Sequence, residues 1–168
     1  VALLSIQLAK PSLSQRSSHH AIVTRLPNHW WAISWASVAK MPWRVRALVI
    51  VLGDQLNADA AVFDGFDAKR DVVWMAEVAE ESTHVWSSKQ RITVFLSAMR
   101  HFASALRARG LPLHYTHLDD AANAGTLGLE LDAAITQLKP AALVMTAPGD
   151  WRVLQSLRAV AAQHGLAL

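Results

Sequence analysis

The chain has 168 residues, of which 52% are hydrophobic and 17% are charged, so it is long and apolar enough to bury the core of one globular domain. It contains no cysteine, which excludes disulfides, thiolate zinc sites and cysteine-ligated iron–sulfur clusters within these residues. Residues 1–40 carry +4 with no acidic residue, whereas residues 41–168 have 12 basic and 13 acidic residues, so the main part of the chain lacks the cationic field that binds nucleic acid.

Residues 1–40 differ from the rest of the chain, because they are rich in Ser, His and Trp and show no sustained period of 3.6 or 2. We expect them to lie outside the fold. Our first interpretation is upstream sequence included by a misplaced start, with Met41 as the true beginning. A transit peptide, which is rich in Arg and Ser and poor in acids, is one alternative. An interfacial anchor built on Trp30, Trp31 and Trp35 is another.

The strongest strand signal is the unbroken apolar run from Ala47 to Leu52. Continuous runs of this kind are typical of parallel sheets that helices cover on both faces. Gly53, Asp54 and Gln55 follow at the carboxyl end of the strand, where open α/β sheets bind ligands. An ordinary turn, with Asp54 as a cap, explains the same three residues.

A second strand is predicted at 71–76, after a loop or short helix at 57–70. Four polar side chains come after it: Glu77, Glu80, Glu81 and His84. Because neighbouring parallel strands end at the same edge of a sheet, we expect these groups and those after the first strand to line one crevice. Carboxylates and amides favour ligand hydroxyl and ring N–H groups, and carboxylates repel phosphates. The same acids could instead only begin a helix, whose N-terminal dipole favours them.

Helices and strands alternate along the rest of the chain. The longest helix is predicted from about Val85 to Arg109, and its apolar stripe is assigned to the core: Ile92, Phe95, Leu96, Met99, Phe102, Ala103 and Leu106. After it we predict a strand at 111–118, a helix at 126–138, a strand at 141–146, a helix capped by Asp150, and the start of a fifth strand at 166–168. The alternation predicts a Rossmann-like α/β fold, a doubly wound parallel sheet of about five strands with helices on both faces.

A chain that ends as a strand begins is expected to be truncated.

No Gly-x-Gly-x-x-Gly, phosphate-binding P-loop or Gly-x-Ser-x-Gly motif is present in the sequence. The sequence therefore assigns no residue to catalysis and none to a metal.

Several motifs, in the same order along the chain, resemble the photolyase-related branch of the photolyase/cryptochrome superfamily. They are Leu52–Leu56, Glu77-Val78 with Glu81-Ser82, Phe95–Phe102, Leu118–Asp120 with Asn123–Gly125, and Pro148–Arg152. This branch contains the bacterial (6-4) photolyases and cryptochromes that carry an iron–sulfur cluster. The resemblance covers Arg46 to Leu168 and implies the N-terminal α/β domain of such a protein, without the C-terminal domain that holds FAD, the cluster and DNA.

The resemblance also implies a ligand, the antenna chromophore 6,7-dimethyl-8-ribityllumazine, which passes excitation to FAD. Carried across by motif, Gly53, Asp54 and Gln55 would line its pocket and Glu81 would hydrogen-bond it. Glu77 and His84 complete the predicted cofactor-binding set. The family usually has Tyr at the position of His84, and His-His where this chain has Ser87-Ser88.

We therefore expect the antenna-binding part, residues 41–168, of a cytoplasmic protein that uses light and flavin to repair DNA or to sense blue light. Alone it would be inactive, because FAD and the iron–sulfur cluster belong to the absent part. Its expected partner is the small-molecule chromophore, with DNA contacted only through the absent domain, no membrane contact, and a monomeric state. The alternatives are a stand-alone nucleotide- or small-molecule-binding module without catalysis, and a structural α/β protein that pairs through its sheet edge.

Overall fold

The computed structural model describes residues 44–168, so the expectations for residues 1–40 lie outside the described residues. Four strands form one parallel sheet: β1 (Ala47–Ile50), β2 (Asp71–Ala76), β3 (Leu113–Thr116) and β4 (Ala142–Met145). Their order across the sheet is β3-β2-β1-β4, and Ala47 of β1 is in register with Asp71 and with Ala142. The chain moves outward from β1 through β2 to β3 and then returns to the other side of β1 to form β4. The carboxyl end of β1 is therefore a topological switch point.

The helices lie on both faces of the sheet, so the predicted α/β class is confirmed. They are α1 (Ala79–Thr83), α2 (Lys89–Ala108), α3 (Leu127–Leu138) and α4 (Trp151–Gln163), with a 3₁₀ turn at Ala61–Phe63. Alternate residues of β1 and β2 point to opposite faces. On one face Leu48 and Trp74 pack in a cluster with α3 and α4, and on the other Val49 and Met75 pack in a cluster with α2. Because both faces are covered, every residue of β2 is buried.

The ends of α2 follow from local hydrogen bonds. Ser88 is its N-cap, and its hydroxyl accepts from the Arg91 N–H at 3.3 Å. At the other end Gly110 has a φ of +76°, and the Leu111 N–H donates to the Leu106 carbonyl at 3.1 Å. The predicted start at Val85 was therefore wrong, because the Ser88 cap separates α2 from the short helix α1. Glu80 and Glu81 lie in the first turn of α1, as the alternative interpretation of these acids as a helix start proposed.

The predicted fifth strand at 166–168 is not formed. Gly165 has a φ of +66°, and the Leu166 N–H donates to the Ala161 carbonyl at 2.9 Å, so this backbone group ends α4 rather than pairing with β4. Leu166 and Leu168 pack against the core next to α3 and α4. The sheet of the described residues therefore has four strands, not about five.

Within residues 44–168, the structure contains no helix with the length and apolar character needed to cross a membrane.

Candidate functional site

A cavity of about 310 Å³ lies beyond the carboxyl ends of β1 and β2, at the switch point of the sheet. Its polar lining comes from several elements: Asp54, Glu77, Glu81, Ser82, His84, Ser87, Arg91, Asp150 and Arg152. The structure therefore brings together five of the six predicted ligand-binding residues, namely Gly53, Asp54, Glu77, Glu81 and His84.

Gln55 is the predicted site residue that the structure does not bring to the cavity. Its side-chain Nε2 donates to the carbonyl oxygens of Thr146 and Ala147, at 3.2 and 3.4 Å. It therefore connects the loop after β1 to the loop after β4, along the sheet edge next to the cavity.

The apolar wall of the cavity belongs to α2, which extends past the end of the sheet. Ile92, Phe95, Leu96 and Met99 line the cavity, and Phe95 is 39% exposed. The assignment of the whole apolar stripe to the core is therefore wrong at Phe95. Met99, Ala103 and Leu106 are buried in the cluster between α2 and the sheet, and Phe102 is partly buried against it.

Gly53 permits this arrangement. A Cβ at position 53 would lie 2.4 Å from Cζ of Phe95 and 2.9 Å from Sδ of Met99, so only a residue without a side chain lets the Phe95 ring rest against the end of β1. A close side-chain approach therefore favours glycine at this position, three residues beyond the end of β1, and this residue helps to shape the cavity.

Glu77 is the centre of a buried hydrogen-bond network. Arg100 binds its carboxylate with two bonds, from Nε at 2.7 Å and Nη2 at 2.8 Å. The Tyr115 hydroxyl donates at 2.5 Å and the Leu118 N–H at 2.9 Å. The backbone carbonyl of Glu77 accepts from the Asn123 amide at 2.6 Å. This network joins the loop after β2 to α2, to β3 and to the loop after β3.

The network keeps Glu77 ionised. Burial by itself would raise its pKa, but the hydrogen bonds from Arg100, Tyr115 and Leu118 outweigh that effect and lower the pKa of Glu77 to about 2. Burial, together with the bond to Glu77, raises the pKa of Tyr115, so this phenol stays protonated as a donor. Both oxygens of Glu77 already accept bonds from within the protein, although the residue also forms part of the cavity wall.

Arg152 organises a second carboxylate group at the cavity. Its guanidinium contacts Glu80 at 3.0 Å, Glu81 at 2.8 Å and Asp150 at 3.3 Å. These bonds connect α1 to the start of α4, and the hydrogen bond to Glu81 raises the pKa of Arg152. Nε of Arg152 is buried and has no hydrogen-bond partner among residues 44–168. Glu81, predicted to bind the ligand, is thus held in place by a cation from a distant helix.

Sequence reasoning missed the partners that position these carboxylates. Arg100 lies outside the apolar stripe of the longest helix, and no role was assigned to it or to Tyr115, Asn123 and Arg152. One signal existed, because Arg100, Asn123 and Arg152 all lie in motifs on which the family resemblance was based. Those motifs, far apart in the chain, meet around the cavity and the Glu77 network.

A second group of polar residues lies next to α3, on the face of the sheet that α3 and α4 cover. His114 is buried, which lowers its pKa to about 3, and it lines an open groove with Thr116, Asp120 and Glu130. His117, three residues on, lies on the opposite face with its ring 4.7 Å from that of Tyr115. No cluster of three or more His, Cys, Asp or Glu residues between positions 44 and 168 could hold a metal ion.

Comparison of the sequence with known proteins identifies a family and a relative of this chain. A family model for deoxyribodipyrimidine photo-lyase-related proteins matches residues 49–168. A (6-4) photolyase of Agrobacterium fabrum is 42% identical over 119 residues, a match that covers 71% of this chain and 24% of the relative. The chain therefore spans about a quarter of the length of that relative.

Proposed function

This chain belongs to the photolyase-related protein family, and from that premise we propose that its cavity binds 6,7-dimethyl-8-ribityllumazine as a light-harvesting antenna. The domain would serve a larger, light-dependent, flavin-using protein. Light-driven DNA repair is the proposed activity of that protein, since the relative from Agrobacterium fabrum is a (6-4) photolyase, and blue-light sensing is the alternative. FAD and an iron–sulfur cluster would be held by other parts of it.

The observation that supports this proposal best is the division of one cavity into an apolar wall and a polar wall. Ile92, Phe95 and Leu96 present hydrocarbon and aromatic surface to the cavity, and no helix or strand among residues 44–168 covers α2 at this point. Glu81 and Asp150 present carboxylates to the same space. A ligand with a flat apolar ring and a hydroxylated chain matches both walls, and about 310 Å³ lies at the small end of ligand cavities.

The polar groups present also fit such a ligand. Carboxylate oxygens accept hydrogen bonds from ribityl hydroxyls and ring N–H groups, and the hydroxyls of Ser82 and Ser87 can donate or accept. Nε of Arg152, next to the same cavity, is a buried donor that has no acceptor among residues 44–168. When bound, the chromophore would supply light absorption. The residues of this chain would bind it, orient it and keep water from its ring.

A binding measurement tests the proposal. Ribityllumazine is titrated with the 168-residue chain, and binding is followed by the change in ligand fluorescence anisotropy, with ATP as the competing ligand. We expect ribityllumazine to bind more tightly than ATP, because carboxylates at the cavity repel a triphosphate. Phe95→Ala should weaken ribityllumazine binding on the order of tenfold, because it removes the aromatic part of the apolar wall.

Val94→Ala is the matched control, because Val94 precedes Phe95 on α2, is 69% exposed and does not line the cavity. Its affinity should equal that of the unaltered chain. Tighter binding of ATP than of ribityllumazine would overturn the antenna proposal and favour a nucleotide-binding module. An equal loss of affinity in the Val94 and Phe95 variants would remove Phe95 from the site.

A further inference from the structure

We infer that Asp150 is a specificity-determining residue, which makes the cavity select a ligand with an unphosphorylated polyol chain and reject its phosphate ester. This inference rests on the proposed function, because it concerns the same cavity and the same class of ligand. The Asp150 carboxylate would discriminate between two ligands that have the same ring and the same chain and differ only in a terminal phosphate.

The two walls of the cavity orient the ligand. The apolar wall is formed by α2, whereas Glu81, Asp150 and Arg152 come from α1 and the start of α4. A ring that packs on Phe95 therefore leaves its hydroxylated chain to the polar wall, where hydroxyl groups can replace the hydrogen bonds they lose from water. The end of the chain, which a phosphate ester would extend, then lies among these charged groups.

The N-terminus of α4 lies at the polar wall and would favour a phosphate if its cap were neutral. Free N–H groups and the helix dipole attract anions at such an end. Here the Asp150 carboxylate is the N-cap and accepts from the Arg152 N–H at 2.8 Å. The bond from this N–H lowers the pKa of Asp150, so its charge is present at neutral pH. The position of the phosphate is already taken by an anion.

The cation of the polar wall is already paired with carboxylates. Arg152 could attract a phosphate, but Glu80, Glu81 and Asp150 contact its guanidinium, so three carboxylates face one positive charge. The group carries a net charge of −2 when all of its members are ionised. Arg91, the other arginine of the lining, is on α2 with the apolar wall. The polar wall therefore accepts hydroxyl donors and repels a phosphate.

The test compares 6,7-dimethyl-8-ribityllumazine with its 5′-phosphate ester, with dissociation constants from ligand fluorescence anisotropy on the 168-residue chain. We expect the phosphate ester to bind weaker, on the order of tenfold or more at low ionic strength. Between about 0.05 and 0.5 M salt the difference should shrink, because added salt screens the repulsion. Asp150→Asn should narrow the difference in the same way, since Asn retains the cap but not the charge.

Asp59→Asn is the matched control, because Asp59 is exposed and does not line the cavity, and it should leave the difference unchanged. Equal or tighter binding of the phosphate ester to the unaltered chain would overturn this inference and leave the antenna proposal standing. An unchanged difference in a folded Asp150→Asn variant would also overturn the role of Asp150, with Asp150→Ser as a second neutral cap if the first variant does not fold. Failure of both ligands to bind would overturn the antenna proposal and this inference together.

Discussion

Two carboxylates beyond β2 have different surroundings: that of Glu77, directly after the strand, and that of Glu81, four residues later in α1. Each is paired with an arginine from a later helix, Glu77 with Arg100 and Glu81 with Arg152. The side chain of Glu77 is 0% exposed, whereas that of Glu81 is 31% exposed. Sequence reasoning assigned both to ligand binding. Their surroundings indicate that Glu77 mainly joins the elements of the fold, and that Glu81 is accessible to a ligand.

The difference shows how one side of a cavity can hold both a buried carboxylate that stabilises the fold and a partly exposed carboxylate that a ligand can reach. Both oxygens of Glu77 accept bonds from three different residues, so a ligand would have to displace partners that are already buried. Oε1 of Glu81 accepts from Arg152, and Oε2 has no hydrogen-bond partner among the described residues. An arginine on one side thus leaves the second oxygen of a carboxylate available to a hydroxyl group. Substitutions at the two glutamates and at their surroundings test this contrast.

The largest effect is expected for the buried glutamate. Glu77→Ala should lower the free energy of unfolding by about 3–5 kcal/mol, because it leaves the Arg100 guanidinium and the Tyr115 hydroxyl without their acceptor. Glu81→Ala should change it by no more than about 1 kcal/mol, as expected for a partly exposed ion pair. Urea denaturation of the two variants measures both values. Similar losses in both would show that the two glutamates do not differ in structural role.

The next effect is a loss of stability in acid. The pKa of Glu77 is about 2 in the folded protein against an ordinary value of 4.5, so its contribution is fully present above pH 4.5 and is lost as the pH falls through 2. The size of this contribution is about 3 kcal/mol. The free energy of unfolding, measured between about pH 6 and 2, should fall less steeply in Glu77→Gln than in the unaltered chain. Parallel curves would contradict the low pKa.

A smaller effect is expected where the accessible wall meets the core. Gly53→Ala would place a Cβ 2.4 Å from Cζ of Phe95 and 2.8 Å from its Cε1, so the partly exposed ring must move. We expect a loss of about 1–2 kcal/mol in the free energy of unfolding, together with weaker ribityllumazine binding. Gly149→Ala is the matched control, since no atom lies within 4 Å of a Cβ at that position. Unchanged ligand affinity in Gly53→Ala would separate Phe95 from the binding wall.

The smallest effect on stability, with a clear effect on binding, is expected for Glu81→Gln. The free energy of unfolding should change by less than about 1 kcal/mol, and the affinity for ribityllumazine should fall on the order of tenfold, because a charged acceptor becomes a neutral amide. Glu80→Gln breaks a bond to the same arginine but alters a residue that does not line the cavity. If Glu80→Gln weakens binding as much as Glu81→Gln, the effect comes from Arg152 rather than from contact with the ligand.

Most of the secondary structure was predictable because its signals are local. The apolar run 47–52, the stripe of α2 and the glycine at 110 each depend on residues that are near one another in the chain. The errors arose where a single hydrogen bond from a backbone N–H decided the outcome. Ser88 caps α2 and separates it from α1, and the Leu166 N–H ends α4 instead of beginning a strand. Neither bond changes the hydrophobic pattern from which the elements were predicted.

The candidate site was only partly predictable. The rule that parallel strands end at one edge placed Gly53, Asp54, Glu77, Glu81 and His84 together correctly, because it requires only the strand assignments. Which glutamate would be buried was not predictable. The answer depends on Arg100, 23 residues from Glu77, and on Arg152, 71 residues from Glu81. No periodic pattern encodes such pairs.

The sequence by itself determined the α/β class, the edge of the sheet at which polar groups gather, and the family, since apolar periodicity, strand direction and ordered motifs are properties of the chain. The tertiary structure alone decided that Glu77 connects elements of the fold by hydrogen bonds and that Phe95 lies in the cavity wall and not in the core. It also decided that Arg152 pairs with both Glu81 and Asp150. Side-chain burial and charge pairing depend on distances between residues far apart in the chain. Those distances exist only after the helices have packed on the sheet.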